Sequence, residues 1–320
     1  MKALCCLLAA LLLAACAAPA AEDAPAPAAT IAAPDIPAHL RTDQAGVPQL
    51  EVYVLSEGVV EPMDIERYVA GVVAGEMRSD WPLEALKAQA ILARTFVLKF
   101  VSEKDSRYED ADISTDIAEA QAYNAAAVDE RILEAVEATR GQVLSTQGGT
   151  LPYAWFHAHS GGSTALAREG LGWREAEPSW TKVTDGLDSP DAPPEARAWE
   201  ASFPEAEFLA ACRKAGADPE SVGELKISKK GDSGRAVTLS VGGAEVSAAE
   251  LRLALGSTVM RSTFLTALRY EDGRIHMAGR GYGHGVGMPQ WGAYALAQDG
   301  YTGEEIAVFY FDGLHVATLW

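Results

Sequence analysis

Apolar residues recur at the helical period in two neighbouring segments of the N-terminal half. In the first, Ile65, Tyr68, Val69, Val72 and Val73 fall on one face, which predicts a helix from Ile65 to about Met77 capped by Asp64. Glu76 lies four residues after Val72 and three after Val73, so it continues that apolar face at the far end of the helix. A second helix is predicted to open at Ser79-Asp80-Trp81-Pro82, a hydroxyl or acidic cap followed by proline in the first turn, and to run to about Val101. Lys87, Ile91, Arg94 and Leu98 form a single stripe on it. Two cations therefore share a line with large aliphatic side chains.

Alternation marks the strands. Stable order is predicted to begin near Leu50 with "LEVYVLS", and "GQVLS" and "LPYAWFHAHS" read as further strands, with a helix from Val128 to Arg140 ended by Gly141 before them. Residues 165 to 200 carry no clear period. Beyond them come a helix in "PEAEFLAACRKAG", a hairpin around Gly231-Asp232-Ser233-Gly234, a helix in "AAELRLALG" and a second hairpin in "TFLTALRYEDGRIHMAG". That hairpin runs into "GRGYGHGVGMPQWGAYA", where glycine occupies every second position from Gly279 to Gly287. In an extended segment Arg280, Tyr282, His284 and Val286 would share one face and leave the other bare for a backbone or a ligand. Pro289 then starts a helix. Helices and hairpins follow one another without a βαβ rhythm, so the fold class expected is α+β, arranged around a single groove.

Composition sets the boundaries of this picture. The chain has 320 residues, 48% of them hydrophobic, and a formal charge of −19, which argues against a general affinity for nucleic acid or anionic lipid. Lys2 and an apolar run through Leu13 form a secretory leader, too short to span a bilayer as a mature helix. Its end, Leu13-Ala14-Ala15-Cys16, resembles the bacterial lipobox, so residues 1–15 are read as a removed signal and Cys16 as a lipid-modified N-terminus. An exported, membrane-anchored protein follows, and Ala17 after the cysteine points to an outer membrane where the cell has one. Residues 16–48, rich in Ala and Pro, read as a tether. At roughly 3.1 Å per residue it would reach on the order of 100 Å. Residues 49–320 are then the folded domain, with about 165–275 as a possible subdomain. Cys212 is left without a cysteine partner in the mature chain, so no intramolecular disulfide is expected.

Several groups could carry chemistry. A carboxylate on an apolar face must be paired or protonated. Glu76 is therefore either a helix-end residue bridged by Lys87 or Arg94, or an acid. His157 and His159 would share one face of a strand, but no Cys, Asp or Glu follows at a ligand-like spacing, and no metal is expected. Ser160 beside Gly161-Gly162 lacks the G-x-S-x-G elbow of a serine hydrolase. The glycine ladder fits neither G-x-G-x-x-G nor a P-loop, which removes the nucleotide reading.

Taken in order, "MDIERYVAGVVAGEM", "WPLEALKAQAILART", "AWFHAHSGGST" and "GYGHGVGMPQWGAYALA" resemble the motifs of the SpoIID/LytB family, the stage II sporulation protein D and amidase-enhancer group that acts on peptidoglycan. The resemblance covers the chain from about Leu50 to Trp320. It implies a lytic transglycosylase that cleaves between N-acetylmuramic acid and N-acetylglucosamine to leave a 1,6-anhydro end, without metal or organic cofactor. The family's catalytic Glu falls on Glu76, and its cations fall on Lys87 and Arg94. Substrate-binding positions fall on His157, Ser160, Tyr282, His284 and Gln290, with Gln121 and Tyr123 matched in a weaker motif. The sequence departs from the family at Pro289, at Ala158 and in "ISTDIAEAQAY", where a Thr-His-Cys is missing. Those departures keep a second expectation open, a non-catalytic activator of a cell-wall amidase. Glycan binding without turnover is a third.

Overall fold

A computed structural model describes residues 32–320, which form one compact unit; the leader, Cys16 and the first part of the tether lie outside the described residues. Helix α1 (Ile65–Glu76) begins where Asp64 accepts a hydrogen bond from the Arg67 N–H at 2.9 Å. Its buried face carries Ile65, Tyr68, Val69, Val72 and Val73, as the period requires. Helix α2 (Leu83–Glu103) starts after Pro82 without a side-chain cap, because the Asp80 carboxylate turns instead to the guanidinium of Arg78. Ala85, Ala88, Ala90 and Ala93 let neighbours approach α2 closely, and it is buried on nearly every side. Around it pack α1, α3 (Glu130–Ala138) and the helices Gln290–Gln298 and Gly303–Phe309.

A small sheet closes this first core. Strands β1 (Arg41–Thr42), β2 (Pro48–Val54) and β3 (Val59–Asp64) run antiparallel, and β4 (Ile113–Ser114) pairs parallel with β2. The folded region therefore starts earlier than Leu50. Leu40 and Val47 are buried in the core. Two apolar anchors seven residues apart in an otherwise polar, Pro-rich stretch have no period, so composition alone reads them as tether.

A second core occupies residues 199–277, overlapping the stretch of about 165–275 marked as a possible subdomain. The helices Glu205–Lys214 and Ala248–Leu255 bury Phe208, Leu251 and Leu255 against two three-stranded antiparallel sheets. One contains the first predicted hairpin, Leu225–Lys230 with Ala236–Val241, extended by Ala244–Ser247. The other contains the second, Leu265–Glu271 with Arg274–Arg280, extended by Ala198–Pro204. The architecture is mixed α+β.

The glycine ladder is not the strand that alternation predicts. The strand ends at Arg280, and Gly281, Gly283, Gly285 and Gly287 have φ of 81°, 116°, 87° and 70°, all in the region that disfavours side chains. Glycine at every second position permits this winding as readily as extension. The loop interlocks with residues 157–165 through single bridges, His159 with Tyr282 and Ala165 with Val286. Only then does Met288–Pro289 pair, in parallel, with Phe156–His157 and lead into the final helices.

Candidate active site

Glu76 is the last residue of α1. Met77 leaves the helix with its N–H still bonded to the Val73 carbonyl at 2.9 Å, and the Glu76 side chain projects from that end. The segment Ala120–Tyr123 crosses the helix terminus so closely that a Cβ on Gly75 would lie 2.7 Å from its backbone. This crossing supplies the first partner: the Ala122 N–H donates to Glu76 Oε1 at 2.9 Å. The second is Gln290, first residue of its helix, whose Nε2 donates to Oε2 at 3.2 Å. Among the described residues, no cation is bonded to the carboxylate. Burial pushes its pKa above the usual carboxylate range, and the two neutral donors only partly oppose that.

Glu76 lines two clefts. The larger, about 630 Å³, lies along the end of α1 and is walled by Trp81, Gln290 and Trp291. The smaller, about 220 Å³, is walled by Phe96, Gln121, Trp155, Phe156 and His284. Among the lining residues of both, the only other carboxylate is Asp80, which is exposed and paired with Arg78. Gln121 is 4% exposed, and neither polar atom of its amide has a partner among the described residues. It faces a cleft with both donor and acceptor unspent.

The two predicted cations stand elsewhere. Arg94 is fully buried and pairs with Glu66 at the opposite end of α1, its NH2 2.5 Å from Oε2 and its NH1 donating to the Gln142 carbonyl at 2.9 Å. Lys87 pairs with Glu84 at 2.7 Å and packs beneath Gly303. Neither touches Glu76, so the bridged reading of that residue is removed. Tyr123 also turns away: its ring lies over Gly71 and against Tyr68, facing a separate cavity of about 460 Å³. Tyr282 sits under the guanidinium of Arg261, 5.1 Å from the ring centre, and lines neither cleft.

Behind the small cleft lies a buried support. The rings of His157 and His284 lie 5.6 Å apart, tilted at 54°, and His157 Nδ1 lies 3.2 Å from the Val286 carbonyl, which sets it as a donor. His284 Nδ1 accepts from the Val286 N–H at 3.0 Å, leaving its proton on Nε2. Both rings are held neutral. Burial, then His284 and Arg235, press His157 well below the usual histidine range. Burial and the cations of Arg252 and Arg235 push His284 down to about 3. His159 takes other partners, the Gly161 N–H at 3.0 Å and the Asp188 carboxylate at 3.3 Å, so the two histidines do not act as a pair. Ser160 is fully buried and hydrogen-bonds Asp188 through both its N–H and its hydroxyl. It fixes a loop and presents no nucleophile.

Arg235 was not visible from the sequence. It leaves the Gly231–Gly234 turn of the second core and reaches the Ser160 and Ser163 carbonyls, the latter at 2.8 Å, with Gly285 so close that a Cβ there would lie 2.5 Å from the guanidinium. The buried carboxylate of Glu169 caps the same turn, accepting from the Asp232 N–H at 2.8 Å and the Ser233 N–H at 3.2 Å. An arginine after a polar turn has no pattern to betray it; only the docking of the hairpin gives it a role.

Residues 55–145 match the family model described as stage II sporulation protein, and residues 198–287 match a domain of unknown function, DUF8618. The chain is 31% identical over 263 residues to an uncharacterized protein of Brachyspira hyodysenteriae, covering 81% of this chain and 68% of that one. It is 29% identical over 285 residues to stage II sporulation protein D of Bacillus amyloliquefaciens, covering 83% and 78%. To the amidase enhancer of Bacillus subtilis it is 27% identical over 293 residues, covering 76% of this chain and 39% of the relative. The chain belongs to the SpoIID/LytB family. Glu76 and Gln121 lie in the first matched segment, Arg235 and His284 in the second, and Gln290 beyond both.

Proposed function

We propose that this protein is a peptidoglycan lytic transglycosylase with Glu76 as its acid and base. The observation that carries the reading is a single half-buried carboxylate, raised in pKa and free of any cation, lining two clefts that hold no second candidate acid. Glycosidases that use water commonly need two carboxylates. In a transglycosylase the sugar's own 6-hydroxyl attacks, and one carboxyl serves twice. Protonated Glu76 gives its proton to the glycosidic oxygen as the bond to the anomeric carbon breaks. The resulting carboxylate takes the proton of the 6-hydroxyl as that oxygen bonds the anomeric carbon, closing the 1,6-anhydro ring and restoring the acid. Gln290 and the Ala122 N–H orient the carboxyl, and Gln121 offers its amide to an N-acetyl group.

Mass spectrometry of products from purified glycan strands tests this. Anhydromuramyl ends should appear with the wild type and vanish with Glu76→Gln. A second reading, activation of a cell-wall amidase, is favoured by the relative named amidase enhancer. It requires no anhydro product from the isolated protein and faster peptide release when an amidase is added. We also propose export and anchoring through Cys16; Cys16→Ser should move the protein to the soluble exported fraction, and unchanged membrane recovery would count against the anchor.

A further inference from the structure

The small cleft does not end at Phe156 and His284. Its wall continues through Trp155 into two more rings, and these are arranged as a surface and not as a core. Tyr153 and Trp155 stack nearly parallel, 5.2 Å apart at 11°, while Trp173 meets both edge-on at 5.6 and 5.5 Å. Each ring is held from behind. Tyr153 donates its hydroxyl proton to Glu103 Oε2 at 2.6 Å and carries the Lys99 ammonium 4.9 Å over its ring. Trp173 donates from Nε1 to the Ala176 carbonyl at 3.1 Å. The Trp155 carbonyl accepts the Met288 N–H at 3.1 Å, which ties its backbone to the end of the glycine loop. Trp155 Nε1 has no acceptor among the described residues.

A hydrophobic role would bury these rings, yet all three are only half-buried, and the core cluster that Trp155 and Trp173 pack on is small, Ala165, Ala167 and Val286. Large aromatic faces kept rigid and open beside a mainly apolar cleft that also holds the Gln121 amide suit a ligand with an apolar face and a polar edge. A pyranose ring is such a ligand: its axial C–H bonds stack on an aromatic face, and its equatorial hydroxyl and acetamido groups need donors and acceptors. Those are at hand in the unpartnered, buried amide of Gln121, on the cleft wall that it shares with Trp155.

We propose that Trp155, backed by Tyr153 and Trp173, is a stacking platform for an N-acetylhexosamine ring of the strand whose scissile bond lies at Glu76. The platform lengthens the bound stretch on the small-cleft side. Rigid rings lose little side-chain freedom on binding, so the contact favours longer strands over short ones. The inference rests on the glycan reading of the groove and does not require that the strand be cleaved.

Binding of β-1,4-linked N-acetylglucosamine trimer and hexamer to the full-length Glu76→Gln protein, measured by calorimetry, tests it. The hexamer should bind more tightly than the trimer. Adding Trp155→Ala should weaken hexamer binding by about tenfold, as loss of an aromatic contact does, and bring the two affinities together. Trp155→Phe, which keeps a ring in place, should give a smaller loss with an unchanged melting temperature. An unchanged hexamer-to-trimer ratio in Trp155→Ala overturns the platform. So does a loss in Trp155→Ala that comes with a lowered melting temperature and has no counterpart in Trp155→Phe. If the wild type gives no anhydro product while binding still depends on Trp155, the cleavage reading fails and the platform stands. If the Glu76→Gln protein binds neither sugar, the platform fails whatever the products show.

Discussion

The two ends of α1 carry two carboxylates in opposite circumstances. Glu66, at the first turn, faces Arg94, the Gly141 N–H at 3.1 Å and the Trp320 indole N–H at 3.0 Å, and is 7% exposed. Glu76, at the last, meets only two neutral donors and opens onto two clefts. A guanidinium pairs with the first. The second is left with burial as its strongest influence, so it keeps a proton to higher pH. One helix thus holds a salt-bridged carboxylate and the proposed acid, and what separates them is the presence of a guanidinium.

Changing each carboxylate in turn should show that they are not interchangeable. Glu76→Gln is expected to lower anhydro-product formation by about 10² to 10⁴-fold, the range for loss of a general acid, with the fold intact. Its effect on stability should have the opposite sign. Because the folded-state pKa of Glu76 is raised, its stabilising contribution is complete below the unfolded value and is lost as pH rises through the folded one. The Gln variant escapes that loss and should melt no lower than the wild type at neutral pH; a clear drop in melting temperature would contradict the assignment.

Glu66→Ala should do the reverse. It leaves Arg94 buried and unpaired, which by comparable cases costs about 3–5 kcal/mol, read by denaturant titration, while product formation per folded molecule stays near normal. Trp320→Phe removes one hydrogen bond to Glu66 and should cost about 1 kcal/mol; no change would place that indole outside the network. The smallest effect is expected from Gln290→Ala. Its amide lowers the Glu76 pKa, so removing it raises the pKa further, and the alkaline limb of the pH–rate profile should move upward. A downward shift would break the comparison.

How much of this could be read from the sequence depends on the kind of contact. The 3.6-residue period placed α1, the Asp64 cap and the inward face of Glu76, because these are local. It also put Arg94 on an apolar stripe, and Arg94 is indeed buried. Which carboxylate it meets was not legible. Glu66 and Glu76 are ten residues apart, about 15 Å along the axis at 1.5 Å per residue, and periodicity reports the side of a helix without reporting the level at which a neighbour crosses it. The same limit hid Arg235, Asp188 and the backbone donor at Ala122, all set by loops that meet at long range. The glycine ladder failed for a different reason: alternation is a rule about side chains, and glycine has none to enforce it.

The hydrogen bond between Glu76 and Gln290 joins residues 214 positions apart in the chain. During synthesis the acid is present long before the amide that orients it, and contacts of such separation form late because the intervening loop must first be closed. Gln121 and the glycine loop that carries His284 arrive from two further stretches of the chain. A nascent polypeptide would therefore carry Glu76 as an ordinary solvated carboxylate, with neither cleft around it. On the proposed function, competence would come with the last helices, and its timing would be written into chain order.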